Sequence, residues 1–347
     1  MKIKEEATFS SVEDLVKVLG PKPKRKTKTL SRPGPDYDYP LALWFRGEDV
    51  LRDSGNLVPS IFRATEDDKI HDEIGMFNVF RMRSSDYRST CHTTLDWLCL
   101  MQHYGLPTRL LDWSESPLVA LYFAVQDERY HSRKADSKKD GVVFVLSARK
   151  LNGATDVFKN KARVGIHVPE NFEAVIRAEC ADRSSLESLV GARVVRDCDQ
   201  RDGIRPNLED ILSNPGEVVN QRFLENLCKP TAIVPFRSNG RMVAQYSLLT
   251  IHGGVMEQEP PRSTAEAKAI GRPIHLDDVN NELVKSGKEP ILYGYRIPAE
   301  EKQGIKKQLE QLGIHEGTLY PEIERQAAHL KHVWQVAKKV REVPGSA

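Results

Sequence analysis

The stretch Cys99–Val125 constrains the fold of this chain more than any other segment. Four residues that lead into it recur at helical spacing on one face: Leu95, Leu98, Cys99 and Gln102. Gly105 can end that helix in the left-handed conformation that glycine adopts without strain. Ser116 and Pro117 then predict the start of a second helix, because serine caps a helix N-terminus and proline costs little at the first helical position.

The connection between these two helices, which we predict to be a loop or short strand from residue 108 to residue 113, is rich in polar groups. Together with the end of the first helix it carries six side chains able to donate, accept or titrate: His103, Tyr104, Thr108, Arg109, Asp112 and Trp113. Such a connection is either a buried polar network that joins two helices or one wall of a binding site. The residues alone leave both interpretations open.

The composition is that of an ordinary soluble protein, with 39% hydrophobic and 29% charged residues in a chain of 347. A formal charge of +2 gives no overall attraction to nucleic acid or to a membrane. No apolar run approaches the roughly 18 residues of a spanning helix, and the N-terminus lacks the apolar core of a signal peptide. The five cysteines have no metal-ligand spacing. We therefore expect reduced thiols, a cytoplasmic location and no membrane partner.

The N-terminal segment predicts a short helix followed by a basic connector. Ser10 and Glu13 form a capping-box pattern ahead of an apolar stripe, and Gly20 ends it. The basic run that follows has no acidic residue before Asp36 and comprises Lys22, Lys24, Arg25, Lys26, Lys28 and Arg32. The run is either a solvated connector or a surface that contacts nucleic-acid phosphates, although no aromatic residue is interleaved for base stacking.

The segment YPLALWFRGED predicts a strand, because its apolar residues alternate with a period of two. Arg46 then shares a face with Trp44, and Gly47 allows the backbone to turn or to approach a bound group closely. An arginine at this position suits a phosphate or carboxylate, since its guanidinium presents a planar fork to oxyanions. The alternative is a structural ion pair with an acid such as Asp112.

Later segments predict a sheet with helices around it. GVVFVLSA reads as a buried strand, and ILYGYRIP as another strand followed by a helix that Gly313 ends. TAIVPF and RMVAQYSLLTIHG predict two strands joined by a turn at Ser238–Gly240, with Gln245 in the middle of the second strand. A buried glutamine there needs polar partners, which a ligand or a loop could supply.

The usual catalytic motifs are absent from the sequence. It contains no GxGxxG, GxxxxGK[ST], HExxH or GxSxG pattern. Its histidines are scattered without ligand spacing, so no metal site is expected. Cys99 lies on the apolar stripe of its helix, which favours packing over a nucleophilic role.

Four motifs together resemble the FRG domain family: WFRG, QHYGLPTRLLDWSESPLVALYFA, RMVAQYSLLTIHG and GIHEGTLYPEIE. The resemblance implies an N-terminal helix and basic linker at 1–35, an FRG domain at 36–330 and a helical tail at 331–347. It also implies an α+β fold, a small mixed or split β-sheet flanked by helices, similar to that of ADP-ribosyltransferases. Near Ser247 the family pattern has a glycine, and near Leu249 an aromatic residue, that this chain lacks.

The resemblance further implies which residues would contact NAD. Arg46 and Gly47 would hold its phosphates or ribose, and the segment with Thr108, Arg109 and Asp112 would line the nicotinamide pocket. Three aromatic residues could stack on nicotinamide: Tyr104, Trp113 and Tyr122. The late acidic position would be filled by Gln245 or by Glu316, with Glu322 behind it. A carboxylate there would stabilise an oxocarbenium-like transition state.

The function implied is that of an NAD-dependent ADP-ribosyltransferase-like toxin or effector in bacterial conflict, including defence against phage. NAD would be the substrate and no metal would be needed. The target would be a nucleic acid, docked by Lys24, Arg25, Lys26 and Lys28, or a protein, and an antitoxin or chaperone would be a partner. The alternative is a non-catalytic ligand-binding or regulatory module.

Overall fold

The computed structural model describes residues 8–19, 43–126, 139–155, 229–253 and 273–334, without 53, 54, 64, 66, 68, 92 and 93. One antiparallel sheet of six strands lies at its centre, in the order β4-β5-β2-β1-β3-β6. The strands are β1 Leu43–Glu48, β2 Leu110–Ser114, β3 Gly141–Ser147, β4 Thr231–Ile233, β5 Ser247–Ile251 and β6 Leu292–Ile297.

Helices flank this sheet, which confirms the predicted α+β class. They are α1 Val12–Leu19, α2 Glu73–Arg83, α3 Thr94–His103, α4 Pro117–Ala124, α5 Ala148–Thr155, α6 Gly240–Ala244, α7 Leu276–Lys285, α8 Lys302–Gln311, α9 Glu316–Leu319 and α10 Ile323–Val333. The expectation of a mixed sheet is wrong for the described strands, since every pair of neighbouring strands is antiparallel. Among the described residues no helix is long and apolar enough to span a membrane.

The sheet separates two hydrophobic cores. Phe45 of β1 packs in the first core with residues of α1, α4 and α8, whereas Trp44 packs in the second core with residues of β3, α5 and α7. This alternation follows from the strand period of two, and it puts Arg46 on the same face of β1 as Trp44.

The central motif folds as its sequence predicts. Gly105 lies in the left-handed region at φ +81° just after α3, and the Ser116 side chain accepts a hydrogen bond from the Val119 amide at the start of α4. The connection between the helices contains β2, which is an interior strand of the sheet. Cys99 is on α3 as expected, and burial, followed by the nearby Asp112 carboxylate, raises the pKa of its thiol.

The segment that begins the N-terminal helix contacts the last strand of the sheet. The Phe9 amide donates to the Arg296 carbonyl at 3.0 Å, and the Phe9 ring stacks on Tyr295 with centroids 4.9 Å apart. The predicted cap is one residue out of register: Ser11 accepts from the Asp14 amide, and the Asp14 side chain accepts from the Ser10 amide. The predicted docking run of Lys24, Arg25, Lys26 and Lys28 lies outside the described residues.

The prediction of two strands from 231 to 253 is wrong in its middle. The Asn239 side chain accepts from the Met242 amide and starts α6, so that Gln245 is the residue at the end of a short helix and not inside a strand. The sheet resumes at Ser247. The cause is the Asn239 cap, which competes successfully with the alternating apolar pattern that follows it.

Candidate functional site

The two halves of the sheet meet at a narrow junction between β1 and β2. Phe45 and Ser114 form the one residue pair of this junction, whereas β1 pairs with β3 along its whole length, from Leu43 with Ser147 to Glu48 with Val142. Beyond the pair, the facing edges of 46–48 and 111–113 are unpaired with each other. We call this opening the seam. Backbone groups along it need other partners, which makes it a natural place for a bound molecule.

Arg46 supplies one of these partners. Its Nη1 donates to the Asp112 carbonyl oxygen at 2.7 Å, and its Nη2 forms an ion pair with Glu48, two residues along the same face. The third nitrogen, Nε, is buried and has no hydrogen-bond partner among the described residues. A buried guanidinium N–H without an acceptor costs free energy, so Arg46 has unused capacity to bind an oxygen atom.

Positive charge accumulates around Arg46. Glu48 is shared with Arg52, whose Nη1 lies 3.7 Å from its carboxylate. The pKa of Arg63 is lowered, first by partial burial of its guanidinium and then by the charges of Arg46 and Arg52, against the opposing effect of Glu48. Two arginines therefore share the Glu48 carboxylate and a third, Arg63, lies within range of their charges, which favours an anion near Arg46.

Asp112 lies on β2 at the seam, with its side chain on the face of the sheet opposite the Arg46 guanidinium, because its neighbours Leu111 and Trp113 pack in the second core. It lies in the middle of an interior strand, but its side chain is exposed while its neighbours in β2 are buried. Its carbonyl oxygen is held by Arg46. Its carboxylate makes no hydrogen bond or ion pair with any residue that the structure describes. Asp112 and Arg46 do not close into the ion pair that was the structural alternative for them.

Three chain segments meet at Ser114, at the closed end of the seam. Ser114 pairs with Phe45 on one side and with Ser247 on the other. Its Oγ donates to the Gln245 carbonyl at 2.8 Å and accepts from the Ser116 amide at 3.0 Å. The early strand, the central strand with its following helix, and the late strand are thus joined through one small polar side chain.

The backbone is strained next to this meeting point. Tyr246 has φ +50° and is the one non-glycine residue with a positive φ in the described part of the chain. Its carbonyl accepts from the Glu115 amide at 3.1 Å, Arg237 lies 5.7 Å from its ring, and Arg237 pairs with Glu115. Such strain costs on the order of 1–3 kcal/mol and is found preferentially at functional sites.

Four of the predicted NAD-contacting residues have structural partners instead. Thr108 is fully buried and donates to Gln102, Arg109 is paired with Glu73, and the Trp113 indole donates to Thr250 at 3.1 Å. Tyr122 is buried in the first core, and burial raises the pKa of its hydroxyl. These rings and donors hold the elements together and offer little surface to a ligand.

The other predicted site residues are placed as follows. A Cβ on Gly47 would lie 1.7 Å from the Ala120 carbonyl oxygen, so the group that approaches this glycine is the backbone of α4. The Gln245 side-chain amide donates to the Leu319 carbonyl at 3.2 Å. The Glu316 carboxylate lies 3.5 Å from the Arg325 guanidinium. Tyr104 is exposed at the end of α3. Arg46 lies along the seam, the Gln245 backbone carbonyl contacts Ser114 at its closed end, and Glu316 is turned toward α10.

Sequence reasoning missed five residues at the site: Glu48, Ser114, Glu115, Arg237 and Tyr246. The signal for Glu48 was present, because residues two apart on a strand share a face. Ser114 could also have been suspected, as a polar residue at the end of the central strand. The Glu115–Arg237 pair joins residues more than a hundred positions apart, and no pattern of spacing indicates it.

The comparisons with known proteins agree with the motif resemblance over one segment. Residues 42–133 match the family model of the FRG domain. This segment contains Arg46, Asp112 and Ser114, and it ends before β4, α6 with Gln245 at its end, and β5. No curated protein and no solved structure matches the chain.

Proposed function

We propose that the FRG domain of this chain binds NAD at the seam and transfers its ADP-ribose group to an acceptor, in the manner of an ADP-ribosyltransferase. The observation that supports the proposal is the contact of the Arg46 guanidinium with the Asp112 carbonyl along an open seam, which Ser114 closes through its hydrogen bond to the Gln245 backbone carbonyl. The FRG match covers Arg46 and Asp112, and Arg46, Arg52 and Arg63 offer positive charge to an anion at the seam.

Arg46 would bind the diphosphate of NAD. Its buried Nε has no acceptor among the described residues, and a phosphate oxygen is a strong acceptor for a guanidinium N–H. Arg52 and Arg63 add positive charge that Glu48 alone does not neutralise. The seam therefore fits a dinucleotide better than it fits a neutral ligand of similar size.

Asp112 would face the nicotinamide ribose, with the dinucleotide passing through the seam, because its side chain and the Arg46 guanidinium lie on opposite faces of the sheet. In the transfer step, a nitrogen or oxygen of the acceptor forms a bond to C1′ of this ribose, while the C1′–N1 bond to nicotinamide breaks. Nicotinamide leaves as a neutral molecule with the electron pair of that bond, and the acceptor loses a proton to solvent. Positive charge develops on the ribose as the bond breaks, and a carboxylate beside it stabilises the transition state.

This assignment moves the acidic role from the third segment to the central strand. Gln245 has no carboxylate, and its side-chain amide donates to the Leu319 carbonyl, while the Glu316 carboxylate lies 3.5 Å from Arg325. Gln245 would instead fix the closed end of the seam through its carbonyl contact with Ser114. Tyr246 offers an exposed ring next to it for nicotinamide.

The biological role proposed with this activity is that of a toxin or effector in bacterial conflict, including defence against phage, acting in the cytoplasm. An enzyme that consumes NAD or modifies essential molecules would need restraint in its own cell, which an antitoxin or chaperone partner would provide. This part of the proposal derives from the family resemblance and from the chemistry of the seam together.

A second candidate function is NAD binding without transfer. The observation that favours it is the ion pair of Arg46 with Glu48, together with a glutamine where the family analogy has a late acid. In that case the domain would sense the dinucleotide and would not cleave it.

The experiment that separates these functions measures NAD binding and nicotinamide release with the purified chain. For the transferase, we expect nicotinamide release that falls by about a hundredfold in Asp112→Asn, because transition-state charge stabilisation is lost. The matched control is Asp67→Asn, the same change at an exposed aspartate paired with Lys69. NAD binding without release would support the sensor, and folded protein that does not bind NAD would overturn both.

A further inference from the structure

A surface outside the seam combines exposed aromatic rings with arginines that form no ion pair with the residues described in the structure. It is formed by the end of α2, the turn Ser85–Tyr87 and the end of α3. Five residues define it, and we call it the aromatic–basic surface: Arg81, Arg83, Tyr87, Arg88 and Tyr104. The overall charge of +2 gave no reason to expect such a surface, because the excess is local.

The aromatic part is rigid and exposed. Tyr87 and Tyr104 have 37% and 56% of their surface exposed, and their hydroxyl oxygens are 2.6 Å apart. Their rings meet edge to face with centroids 6.2 Å apart, and Phe80 supports Tyr104 from 6.4 Å. Two rings held in this way lose little conformational freedom when a planar ligand stacks on them.

The basic part carries more positive charge than its surroundings neutralise. Residues 81–88 contain three arginines and one acid, Asp86. Arg83 and Arg88 form no ion pair with any residue that the structure describes. Arg81 lies over the rings of Phe77 and Trp97, at 5.3 and 5.6 Å from their centroids, so its charge stays at the surface.

The surface continues toward the closed end of the seam. His103 adjoins Tyr104, with ring centroids 5.1 Å apart. The pKa of His103 is lowered by burial and then by the charge of Arg241, which is therefore close to it. The Arg241 guanidinium lies over the Tyr320 ring, 4.8 Å from its centroid. The Arg241 backbone carbonyl accepts from the Gln245 backbone amide at 2.9 Å. A path of rings and cations thus leads from Tyr104 to Gln245.

We propose that the aromatic–basic surface binds a single strand of nucleic acid, with bases stacked on Tyr87 and Tyr104 and phosphates beside Arg83 and Arg88. Exposed rings next to cations suit this partner, because every base has a face that can stack and every nucleotide carries a charge. A duplex hides the faces of its bases, and an acidic peptide would need the arginines but not the rings. The surface stands independently of NAD; its use to present the acceptor of ADP-ribose rests on the proposed function.

The test measures binding of a fluorescein-labelled single strand of about 16 nucleotides, DNA and RNA separately, to the full chain by fluorescence anisotropy without NAD. Tyr104→Ala should weaken binding by about tenfold, since stacking on one base is lost, while Tyr104→Phe should bind nearly as the parent does. A duplex of the same sequence should bind more weakly than the strand.

Charge is tested separately from stacking. The double variant Arg83→Gln with Arg88→Gln should weaken binding. It should also make the negative slope of log K against log salt shallower by about 1.4, because two phosphate contacts are lost. The matched control is Lys285→Gln with Lys288→Gln, which removes the same charge from exposed positions at the end of α7 and should leave the slope near the parent value.

Three outcomes would overturn the proposal: binding that Tyr104→Ala and the double arginine variant leave unchanged, an equal loss in the lysine control, or a duplex that binds as well as the strand. Because no NAD is present, failure here leaves nicotinamide release untouched. Conversely, a chain that binds the strand but never cleaves NAD would retain the surface and lose the proposed function. Label transferred to protein after nuclease treatment, without binding of the strand, would indicate a protein acceptor instead.

Discussion

Two arginines beside the central strand, Arg109 and Arg46, are held in different ways. Arg109 lies just before β2, and its Nε is 3.0 Å from both carboxylate oxygens of Glu73 while Nη1 donates to the His252 carbonyl at 3.1 Å. Arg46 on β1 also has a carboxylate and a carbonyl oxygen as partners, but its Nε has none among the described residues. Arg109 is a completed structural contact, and Arg46 is an incomplete one.

The difference follows from the backbone on which each arginine lies. Arg109 stands where β2 and β5 are in register, and its own carbonyl accepts from the His252 amide at 3.0 Å. Arg46 stands where β1 and β2 separate after one pair, so its side chain replaces a missing backbone partner of Asp112. An arginine in a closed ladder stabilises the fold, whereas an arginine at an opening has capacity left for a ligand.

Arg109→Ala should have the largest effect on stability. Glu73 would lose its cation while largely buried, and the His252 carbonyl would lose a donor. Breaking a buried ion pair by removing one partner costs about 3 to 5 kcal/mol. Urea unfolding followed by circular dichroism measures this loss. A decrease below about 1 kcal/mol would show that Arg109 is no more structural than a surface residue.

Arg46→Ala should lower activity strongly and stability only slightly, the opposite of what is expected for Arg109→Ala. Glu48 keeps Arg52 as a partner, and repulsion with Arg52 and Arg63 is relieved, so unfolding should become easier by only about 1 to 2 kcal/mol. Nicotinamide release, measured as kcat/KM, should fall by about a hundredfold. Equal effects of Arg46→Ala and Arg109→Ala on both quantities would remove the distinction between the two arginines.

The contrast was accessible from the sequence only in part. The alternation of WFRG put Arg46 on a face with Trp44, and Gly105, Ser116 and Pro117 marked the ends of α3 and α4, because these signals act within a few residues. The partner of Arg109 could not be inferred, since Glu73 lies 36 positions earlier in the sequence, at the start of α2. The sequence suggested one polar wall, and the structure divides it into a buried network and an open seam.

The predicted role of Gly47 shows a different limit. The sequence correctly indicated that something approaches this residue closely, but a glycine gives no sign of what that is. Here it is the carbonyl of Ala120, so any side chain at this position would displace α4. The prediction that Gln245 lies in a strand was wrong for a local reason: Asn239 caps a short helix where a strand was predicted. Long-range packing and capping both override an alternating apolar pattern.

The histidine between the two arginines should make stability depend on pH. His252 is fully buried; burial, and then the charges of His275, Arg109 and Arg46, lower its pKa from 6.5 to about 3. The unfolded chain therefore binds a proton at His252 more readily than the folded chain does. The free energy of unfolding should be unaffected by the titration of His252 above about pH 6.5. It should decrease by about 1.4 kcal/mol per pH unit as the pH falls toward 3.

His252→Gln removes this titration while keeping groups that can hydrogen-bond to Thr250, whose hydroxyl lies 3.0 Å from Nε2. Urea unfolding at pH 7, 5 and 4 should show a shallower loss of stability in the variant than in the parent. If both lose stability at the same rate, His252 is accessible to protons in the folded state, and the polar region around Arg109 is less closed than its hydrogen bonds indicate.

Tyr246 should give the smallest effect, and it tests whether strain maintains the closed end of the seam. At φ +50° a residue with a Cβ is strained by about 1 to 2 kcal/mol, and glycine is not. Both Tyr246→Ala and Tyr246→Gly remove the ring contact with Arg237, so their difference isolates the backbone. After allowance for the greater freedom of glycine in the unfolded chain, Tyr246→Gly should be the more stable by about 1 kcal/mol. If Tyr246 contacts NAD, both variants should raise KM equally while differing in stability. A KM that rises only in Tyr246→Gly would instead assign the effect to loosened backbone, through the contact of Gln245 with Ser114.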